Sequence, residues 1–270
     1  MSDNPLTPEG RALYRGMLLD DDLMSLREQF ARVTAEQLGN IASWLGFDSL
    51  LGAGDIDTST PSDEATAPER YAAFRGVSSV VEMASELATG CVSMLDSGHR
   101  YAAAALIRQL IECEYLLHAF VEDLSRAASW YRASPSEIRS AFMPKTMRPL
   151  GGFSDREYWT HCDQGGHPSP QGRVLLRFGG HGHGDPADEG FMAASMWGDL
   201  AQHLGRVWWA AHDLLSTHHA RFVDVRASQI AVVDAIGARW RDADPLSRPV
   251  DFSLVNQLAS GGLDSEDGAS

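Results

Sequence analysis

Apolar residues recur at helical spacing along most of the 270-residue chain. One pattern runs from about residue 22 to 44, a second from about 67 to 95, and a third from about 99 to 122. Recurrence at every third and fourth position places apolar side chains on one face of an α-helix. The third pattern is apolar on most of its circumference, which is typical of a helix at the centre of a bundle. With further patterns over about 188–219 and 225–240, the sequence predicts an all-α fold, an irregular helical bundle.

Polar residues mark where several helices begin. Thr7-Pro8-Glu9 combines an N-cap, a proline in the first turn and an acidic residue. Ser134-Pro135-Ser136-Glu137 and Ser154-Asp155-Arg156-Glu157 both have the S-x-x-E pattern of a capping box. In that motif the serine and the glutamate each satisfy a backbone N–H that lacks a partner inside the helix. We therefore expect a helix to start at each of these three sites.

Composition divides the chain into four segments. Helices at 1–47 precede a stretch at 48–68 that is rich in Gly, Asp, Ser, Thr and Pro, which predicts a flexible acidic linker. The main helical bundle domain is expected at 69–242, and the acidic Gly/Ser-rich tail at 243–270 is expected to be disordered. Within the bundle, glycine and proline predict one long loop at about 164–187, where 173–178 is the only strand-like run.

The charge and cysteine content narrow the functional classes. A formal net charge of -15 argues against nucleic acid as a partner, because binding phosphates requires clustered cations. Three widely spaced cysteines indicate reduced thiols and hence a cytoplasmic protein. The first ten residues lack the features of a signal peptide, and Tyr101–Val121 contains four ionisable groups, which excludes a membrane span there. A homo-oligomer is left open.

The third apolar helix carries an unusual polar group. Arg108 and Glu112 are four residues apart and so share a face, close to Tyr115. A charge on an apolar helix must be paired, because removing it from water is costly. One interpretation is a structural ion pair that fixes helix register. The other is a guanidinium that Glu112 orients so that its free donors bind a small anionic ligand.

A second polar group occurs at the end of the helix that Ser154 opens. Tyr158 and His161 are three residues apart, and His167 follows in a turn that Pro168 keeps out of helical geometry. A histidine can exchange a proton near neutral pH. Together with Arg108, Glu112 and Tyr115, these residues predict a polar cleft that binds a small anionic ligand or a protein partner. The alternative is that they only hold the loop in place.

A resemblance to a known family rests on the same residues. A helix with Arg108 and Glu112, a later helix with Tyr158, and the turn His167-Pro168-Ser169 resemble a large uncharacterised family of bacterial all-helical proteins. The resemblance covers about residues 100–170. It implies a helical fold and no established activity.

A metal-independent nuclease is the first enzymatic alternative. HEPN-type ribonucleases are helical and use an R-x4-6-H motif, whose spacing Arg156 and His161 match. Here Arg156 and His161 would be the catalytic residues, with the histidine as general acid and base. Arg206…His212 and Arg177…His183 share the spacing, and about two such matches are expected by chance in a chain with ten histidines. The net negative charge disfavours an RNA substrate.

A metal-dependent hydrolase is the second alternative. His181, His183 and Asp185 resemble the H-x-H-x-D motif of metallo-β-lactamase-like hydrolases and offer ligands suited to zinc. That family is excluded, because Pro186 replaces its next histidine and its fold needs many strands. A zinc site of another kind on this loop stays open, and otherwise no cofactor is expected. The histidines at 203, 218 and 219 lie among tryptophans on a long predicted helix and are interpreted as packing residues.

Overall fold

The structure, a computed structural model, describes residues 6–51, 67–168, 170–176, 186–248 and 252–261. Within them the chain forms 12 α-helices and no strand, which confirms the predicted all-α bundle. The helices are α1 (Pro8–Leu19), α2 (Asp21–Leu51), α3 (Ala67–Asp96), α4 (Arg100–Glu122), α5 (Ser125–Arg132), α6 (Pro135–Ala141), α7 (Pro144–Met147), α8 (Asp155–His161), α9 (Pro186–His218), α10 (Ala220–Val225), α11 (Ala227–Ala243) and α12 (Phe252–Gly261). None of these helices is both long and apolar enough to cross a membrane.

Three helices begin where the capping patterns predict. Thr7 caps α1, and its hydroxyl accepts a hydrogen bond from the backbone N–H of Gly10 at 3.0 Å. Ser134 caps α6 with a complete capping box. Ser154 caps α8, where its hydroxyl accepts from the backbone N–H of Glu157 at 3.2 Å. These hydroxyls satisfy N–H groups that have no acceptor inside their helices.

Helices α2, α3, α4 and α9 share one hydrophobic core. Helix α2 packs along α3, and α4 lies against α3 and α9. The core includes one fully buried residue from each helix: Phe30, Val77, Leu110 and Leu204. Phe30 also stacks on Trp240 of α11, with ring centroids 4.7 Å apart. The expected N-terminal helices and the expected main bundle domain are therefore parts of the same core.

Two expectations from the sequence need correction. The strand-like run at 173–178 is not a strand where it is described, because Gln171–Leu175 forms a 3-10 turn; residues 177 and 178 lie outside the described part. The tail expected to be disordered from 243 onwards contains the helix α12, which packs on α1. Asn256 of α12 accepts a hydrogen bond from the backbone N–H of Thr7 at 2.9 Å. An amphipathic segment of ten residues is stabilised by that contact rather than by its own helix propensity.

The glycine-rich segment after α8 lies directly on α4. Helix α8 continues into a π-helical turn at Cys162–Gly166. A Cβ atom on Gly165 would lie 2.5 Å from the backbone of Ala104, and one on Gly172 would lie 2.6 Å from the ring of Tyr101. A side chain at 165 would collide with the backbone of α4, and one at 172 would displace the ring of Tyr101, so glycine suits this close approach. The packing fixes α8 against α4. Of the expected loop at about 164–187, residues 177–185 lie outside the described part.

Candidate functional site

Two helices each present a carboxylate and a histidine one turn apart. On α8 these are Glu157 and His161, and on α9 they are Asp199 and His203. Residues four apart lie on the same face of a helix, so each pair points in one direction. The two pairs face each other, because Nε2 of His161 lies 2.9 Å from Oδ2 and 3.1 Å from Oδ1 of Asp199. The rings of the two histidines are 5.0 Å apart and nearly perpendicular.

Hydrogen bonds at Nδ1 fix the orientation of both imidazoles. Nδ1 of His161 lies 2.8 Å from the backbone carbonyl oxygen of Glu157, which can only accept a hydrogen bond. Nδ1 of His203 lies 2.7 Å from Oε2 of Glu114, a residue of α4 with no exposed surface. Both Nδ1 atoms therefore carry a proton and donate it. Nε2 of each ring is left to face Asp199, at 3.5 Å from Oδ1 in the case of His203.

One arginine bridges the carboxylates behind the histidines. Nη1 of Arg206 lies 2.6 Å from Oε1 of Glu157 and 3.2 Å from Oε1 of Glu114. Arg206 stands on α9, one turn beyond His203, so it approaches from the same face. This guanidinium links α4, α8 and α9 through two charge-assisted hydrogen bonds, which are stronger than neutral ones. We call the six side chains the histidine cluster: Glu114, Glu157, His161, Asp199, His203 and Arg206.

Apart from its two imidazoles, the histidine cluster contains more negative than positive charge. Three carboxylates face one guanidinium, which leaves a net charge of −2 when both imidazoles are neutral. His203 is only 1% exposed and His161 only 8%. The side chain of Asp199 is 33% exposed and that of Glu157 27%, so the cluster is open to solvent on one side. An excess of negative charge at a buried site favours the binding of cations, whether protons or a metal ion.

The pKa values respond to that excess. Burial lowers the pKa of His203, but the charge of Glu114 and the hydrogen bond with Asp199 outweigh it and raise the pKa to about 10. For His161, burial again lowers the pKa, and the carboxylate of Asp199 raises it above its ordinary value. Burial raises the pKa of Asp199, yet the charge of His161 and the hydrogen bonds from both histidines hold it well below its usual range. Both histidines therefore favour a positively charged partner or proton at Nε2.

Three atoms of the histidine cluster that can bind a metal ion lie close together. One nitrogen from His161, one from His203 and one carboxylate oxygen of Asp199 all lie within 4.8 Å of one another. Two imidazole nitrogens and a carboxylate oxygen are ligands of zinc and of iron(II). Histidines that bind metals almost always donate their other N–H to a carboxylate or a backbone carbonyl. Glu114 and the carbonyl of Glu157 are placed to accept those two bonds.

No family model, curated protein or solved structure matches the chain. The family resemblance drawn from Arg108, Glu112, Tyr158 and the His167-Pro168-Ser169 turn stays a prediction, and Ser169 itself lies outside the described residues.

The residues predicted to form a polar cleft meet only in part. Nη2 of Arg108 lies 2.8 Å from Oε1 of Glu112 and donates to the hydroxyl of Tyr158 at 2.9 Å. Nε of Arg108 donates to Sγ of Cys162 at 3.5 Å. Tyr115 packs near Tyr158, with ring centroids 6.2 Å apart. Burial raises the pKa of Glu112, although the charge of Arg108 acts against it. These residues form a second polar group on the α4 side of α8.

The remaining candidates lie elsewhere. His161 is turned away from Arg108 toward α9, and His167 is exposed at the end of the π-helical turn. Arg156 is exposed, whereas His161 is buried; five residues correspond to about 140° around a helix axis, so the two side chains leave α8 on different faces. The predicted zinc ligands at 181, 183 and 185 lie outside the described residues.

Sequence reasoning missed the partners of His161. Asp199 was not singled out, and His203 was interpreted as a packing residue among tryptophans. A signal was available, since Glu157 and His161 on one predicted helix and Asp199 and His203 on another repeat the same acid-x3-His spacing. Arg206, noted only for a chance match to the nuclease motif, is a member of the cluster. Its spacing partner His212 instead stacks on Trp208, with ring centroids 6.5 Å apart.

Proposed function

We propose that this protein is a metal-dependent hydrolase whose single divalent ion is bound by His161, Asp199 and His203. The observation that carries the proposal is the convergence of three ligand atoms within 4.8 Å, in which each histidine already has its Nδ1–H committed to an acceptor. Both Nε2 atoms face the carboxylate of Asp199. A metal ion at this point would take the place of the protons on the two imidazoles, because histidine binds metal in its neutral form.

The charge of the cluster supports a divalent ion. With neutral imidazoles, the form in which histidine binds metal, the histidine cluster has a net charge of −2. One ion such as zinc cancels that charge. Two protons on Nε2 would cancel it as well, so protons and metal compete for the same positions. The ion has the advantage that it contacts both nitrogens and the carboxylate at once.

The open side of the cluster supports catalysis over a purely structural metal. Structural zinc sites have four protein ligands, whereas catalytic sites have three and leave a position for water. Only three ligand atoms converge among the described residues, and the Asp199 side chain is 33% exposed. Water can therefore reach the ion. A bound divalent ion lowers the pKa of such a water to about 7, which makes hydroxide available for hydrolysis at neutral pH.

The two earlier hypotheses have less support. Arg108 as an anchor for a small anion or a protein partner stays a prediction, but its charge is already matched by Glu112 at 2.8 Å. A ribonuclease using Arg156 and His161 would need both side chains at one phosphate, and they lie on different faces of α8. Nor does the metal hypothesis depend on the loop at 181–185, because the proposed ligands come from α8 and α9.

Metal binding can be tested directly. The protein is purified without a histidine tag, stripped with a chelator and titrated with Co²⁺, whose visible absorption reports coordination by nitrogen. We expect about one ion per chain, as the three-ligand site implies. His203→Ala should abolish the absorption, and His212→Ala on the same helix should leave it unchanged. Wild-type protein that takes up no Co²⁺, or equal uptake by the two variants, would overturn the proposal.

Hydrolysis is measured on the same samples. The metal-loaded protein is incubated with 4-nitrophenyl acetate and, separately, with bis(4-nitrophenyl) phosphate. We expect release of 4-nitrophenol from at least one probe that disappears on chelation and returns on adding metal. Activity that chelation leaves unchanged would show that hydrolysis does not depend on the proposed metal site. Activity retained in His203→Ala would show the same.

A further inference from the structure

The two capping boxes of the chain are built differently. At α6, Oε2 of Glu137 accepts a hydrogen bond from the backbone N–H of Ser134 at 2.7 Å, and the box is complete. At α8, the Ser154 hydroxyl accepts from Glu157 at 3.2 Å, but the Glu157 carboxylate points into the histidine cluster. A capping-box carboxylate stabilises the start of its helix. In α8 the corresponding carboxylate, that of Glu157, lies at the proposed metal site instead.

The Glu157 carboxylate lies just outside the set of ligand atoms. Its Oε1 is 3.9 Å from Nε2 of His203, while the three converging ligand atoms belong to His161, Asp199 and His203. Glu157 is not among the residues whose ligand atoms all lie within 4.8 Å of one another, so its carboxylate borders the proposed metal site without completing the ligand set.

Arg206 holds this carboxylate in position. Its Nη1 donates to Oε1 of Glu157 at 2.6 Å and also to Glu114, the residue that orients His203. The Glu157 side chain is 27% exposed and lies on the same side as the partly exposed Asp199. The oxygen of Glu157 that lies toward His203 thus also accepts from Arg206, and the side chain has access to solvent.

We propose that Glu157 is the general base and acid of the hydrolytic reaction, a role that rests on the proposed metal site. Its carboxylate takes one proton from the water bound at His161, Asp199 and His203. The resulting hydroxide oxygen forms a bond to the carbonyl carbon of an ester, and the bond from that carbon to the leaving oxygen breaks. The leaving oxygen takes the proton back from Glu157. The carboxylate is regenerated, and no oxidant or further reactant is consumed.

A metal-directed acid tests the base without knowledge of the natural substrate. Acetohydroxamic acid binds an active-site metal with transfer of its proton to a neighbouring base. Its affinity for the Co²⁺-loaded protein is read from the change in visible absorption. Glu157→Gln keeps the size of the side chain but cannot take the proton, so we expect at least about tenfold weaker binding with unchanged Co²⁺ content. The matched control is Glu137→Gln at the complete capping box, which should bind like wild type.

The ester probe provides a second readout. Zinc-loaded Glu157→Gln should show a kcat for 4-nitrophenyl acetate about 10²- to 10⁴-fold below wild type, with little change in KM. Glu157→Asp retains a carboxylate and should recover part of both losses. A variant that fails to fold is recognised by circular dichroism, and Glu157→Asp then serves as the test variant, expected to bind hydroxamate more weakly than wild type.

The outcomes separate this inference from the proposed function. Wild-type protein that takes up no Co²⁺ refutes the metal site itself, and the base with it. If metal is bound and Glu157→Gln binds hydroxamate within about twofold of wild type, only the general-base role is overturned. If Glu157→Gln also loses its Co²⁺, Glu157 is a ligand rather than a base, and the inference is again wrong while the metal site stands.

Discussion

Two buried polar clusters in this protein differ in how their charges are paired and in their exposure to solvent. The first joins Arg27 of α2 to Asp244 after α11, with Nε to Oδ2 at 2.6 Å and Nη2 to Oδ1 at 2.9 Å. The remaining Arg27 donors reach the backbone carbonyl oxygens of Leu18 and Met17 at 2.8 and 3.1 Å. Asp244 also accepts from Trp240 and the backbone of Leu246. One cation meets one anion, and both are almost fully buried.

The histidine cluster differs from the cluster of Arg27 and Asp244 in how its charge is balanced, in the partners of its polar atoms and in its exposure to solvent. Its three carboxylates outnumber its one guanidinium, so its charge is balanced only by protons on the two imidazoles, whose pKa values are raised. Both Nε2 atoms converge on Asp199, and that side chain is 33% exposed. A satisfied and balanced network fixes one arrangement of the helices. A network whose charge is balanced by protons on imidazoles beside solvent can exchange those protons for a metal ion. Burial of charge alone therefore does not identify a functional site; the exchangeable protons and the open side do.

The largest expected effect on stability concerns the cluster of Arg27 and Asp244. Asp244→Ala leaves the Arg27 guanidinium buried without its anion, which should lower the free energy of unfolding by about 3–5 kcal/mol. Urea denaturation followed by circular dichroism measures this. The folded fraction should still take up Co²⁺, because Asp244 is not part of the histidine cluster. A loss below about 1 kcal/mol would show that the pair of Arg27 and Asp244 contributes little to the stability of the fold.

The next effect is specific to the histidine cluster. Zinc at about 100 times its dissociation constant should raise the free energy of unfolding of wild-type protein by about 2.7 kcal/mol, since only the folded state offers the site. Asp199→Asn should remove this zinc-dependent gain. Asp213→Asn, an exposed position on the same helix, is the matched control and should keep it. Equal stabilisation of both variants would place the ion outside the histidine cluster.

The helical fold could be predicted because its signals are local. The capping residues Thr7, Ser134 and Ser154 each act within one turn, and their helices begin where the patterns indicate. Helix α12 was missed because its stabilising contact, Asn256 with Thr7, joins opposite ends of the chain. The 3-10 turn at Gln171–Leu175 was missed because Gly172, packed on Tyr101, matters more there than the apolar run that follows.

The site could be predicted only where its contacts stay close to one helix face. The spacing of Arg108 and Glu112 is enough to expect their ion pair, and Tyr158 does join it. His161 was singled out, but its partner depends on which side of α8 meets α9. That choice is made by tertiary packing. His203 among tryptophans has the same sequence pattern whether its Nδ1 faces an apolar side chain or Glu114.

A smaller effect tests the orientation of His203. Glu114→Gln replaces an acceptor of the Nδ1–H by an amide and removes a negative charge, which should weaken metal binding about 10- to 100-fold. Competition with a chromophoric chelator measures the affinity. Glu112→Gln is the matched control: it lies two residues away on α4 but pairs with Arg108 rather than with the cluster. Similar losses in both variants would mean that general negative charge, rather than the bond to His203, sets the affinity.

The smallest expected effect shows how much burial contributes to the strength of an arginine–aspartate pair. Arg32 and Asp96 form the same two-bond pair as Arg27 and Asp244, at 2.6 and 2.9 Å, but their side chains are 41% and 47% exposed. Asp96→Asn should therefore cost only about 0.2–1 kcal/mol, because water and salt screen the pair. The hydrogen bond from Arg32 lowers the pKa of Asp96, so its stabilising contribution is present above about pH 4, the ordinary aspartate pKa, and is lost as the pH falls further. Urea denaturation of wild type and Asp96→Asn at pH 7 and pH 3 should show a difference at the higher pH that shrinks at the lower one. A cost equal to that of Asp244→Ala would mean that geometry, and not burial, makes the Arg27 cluster strong.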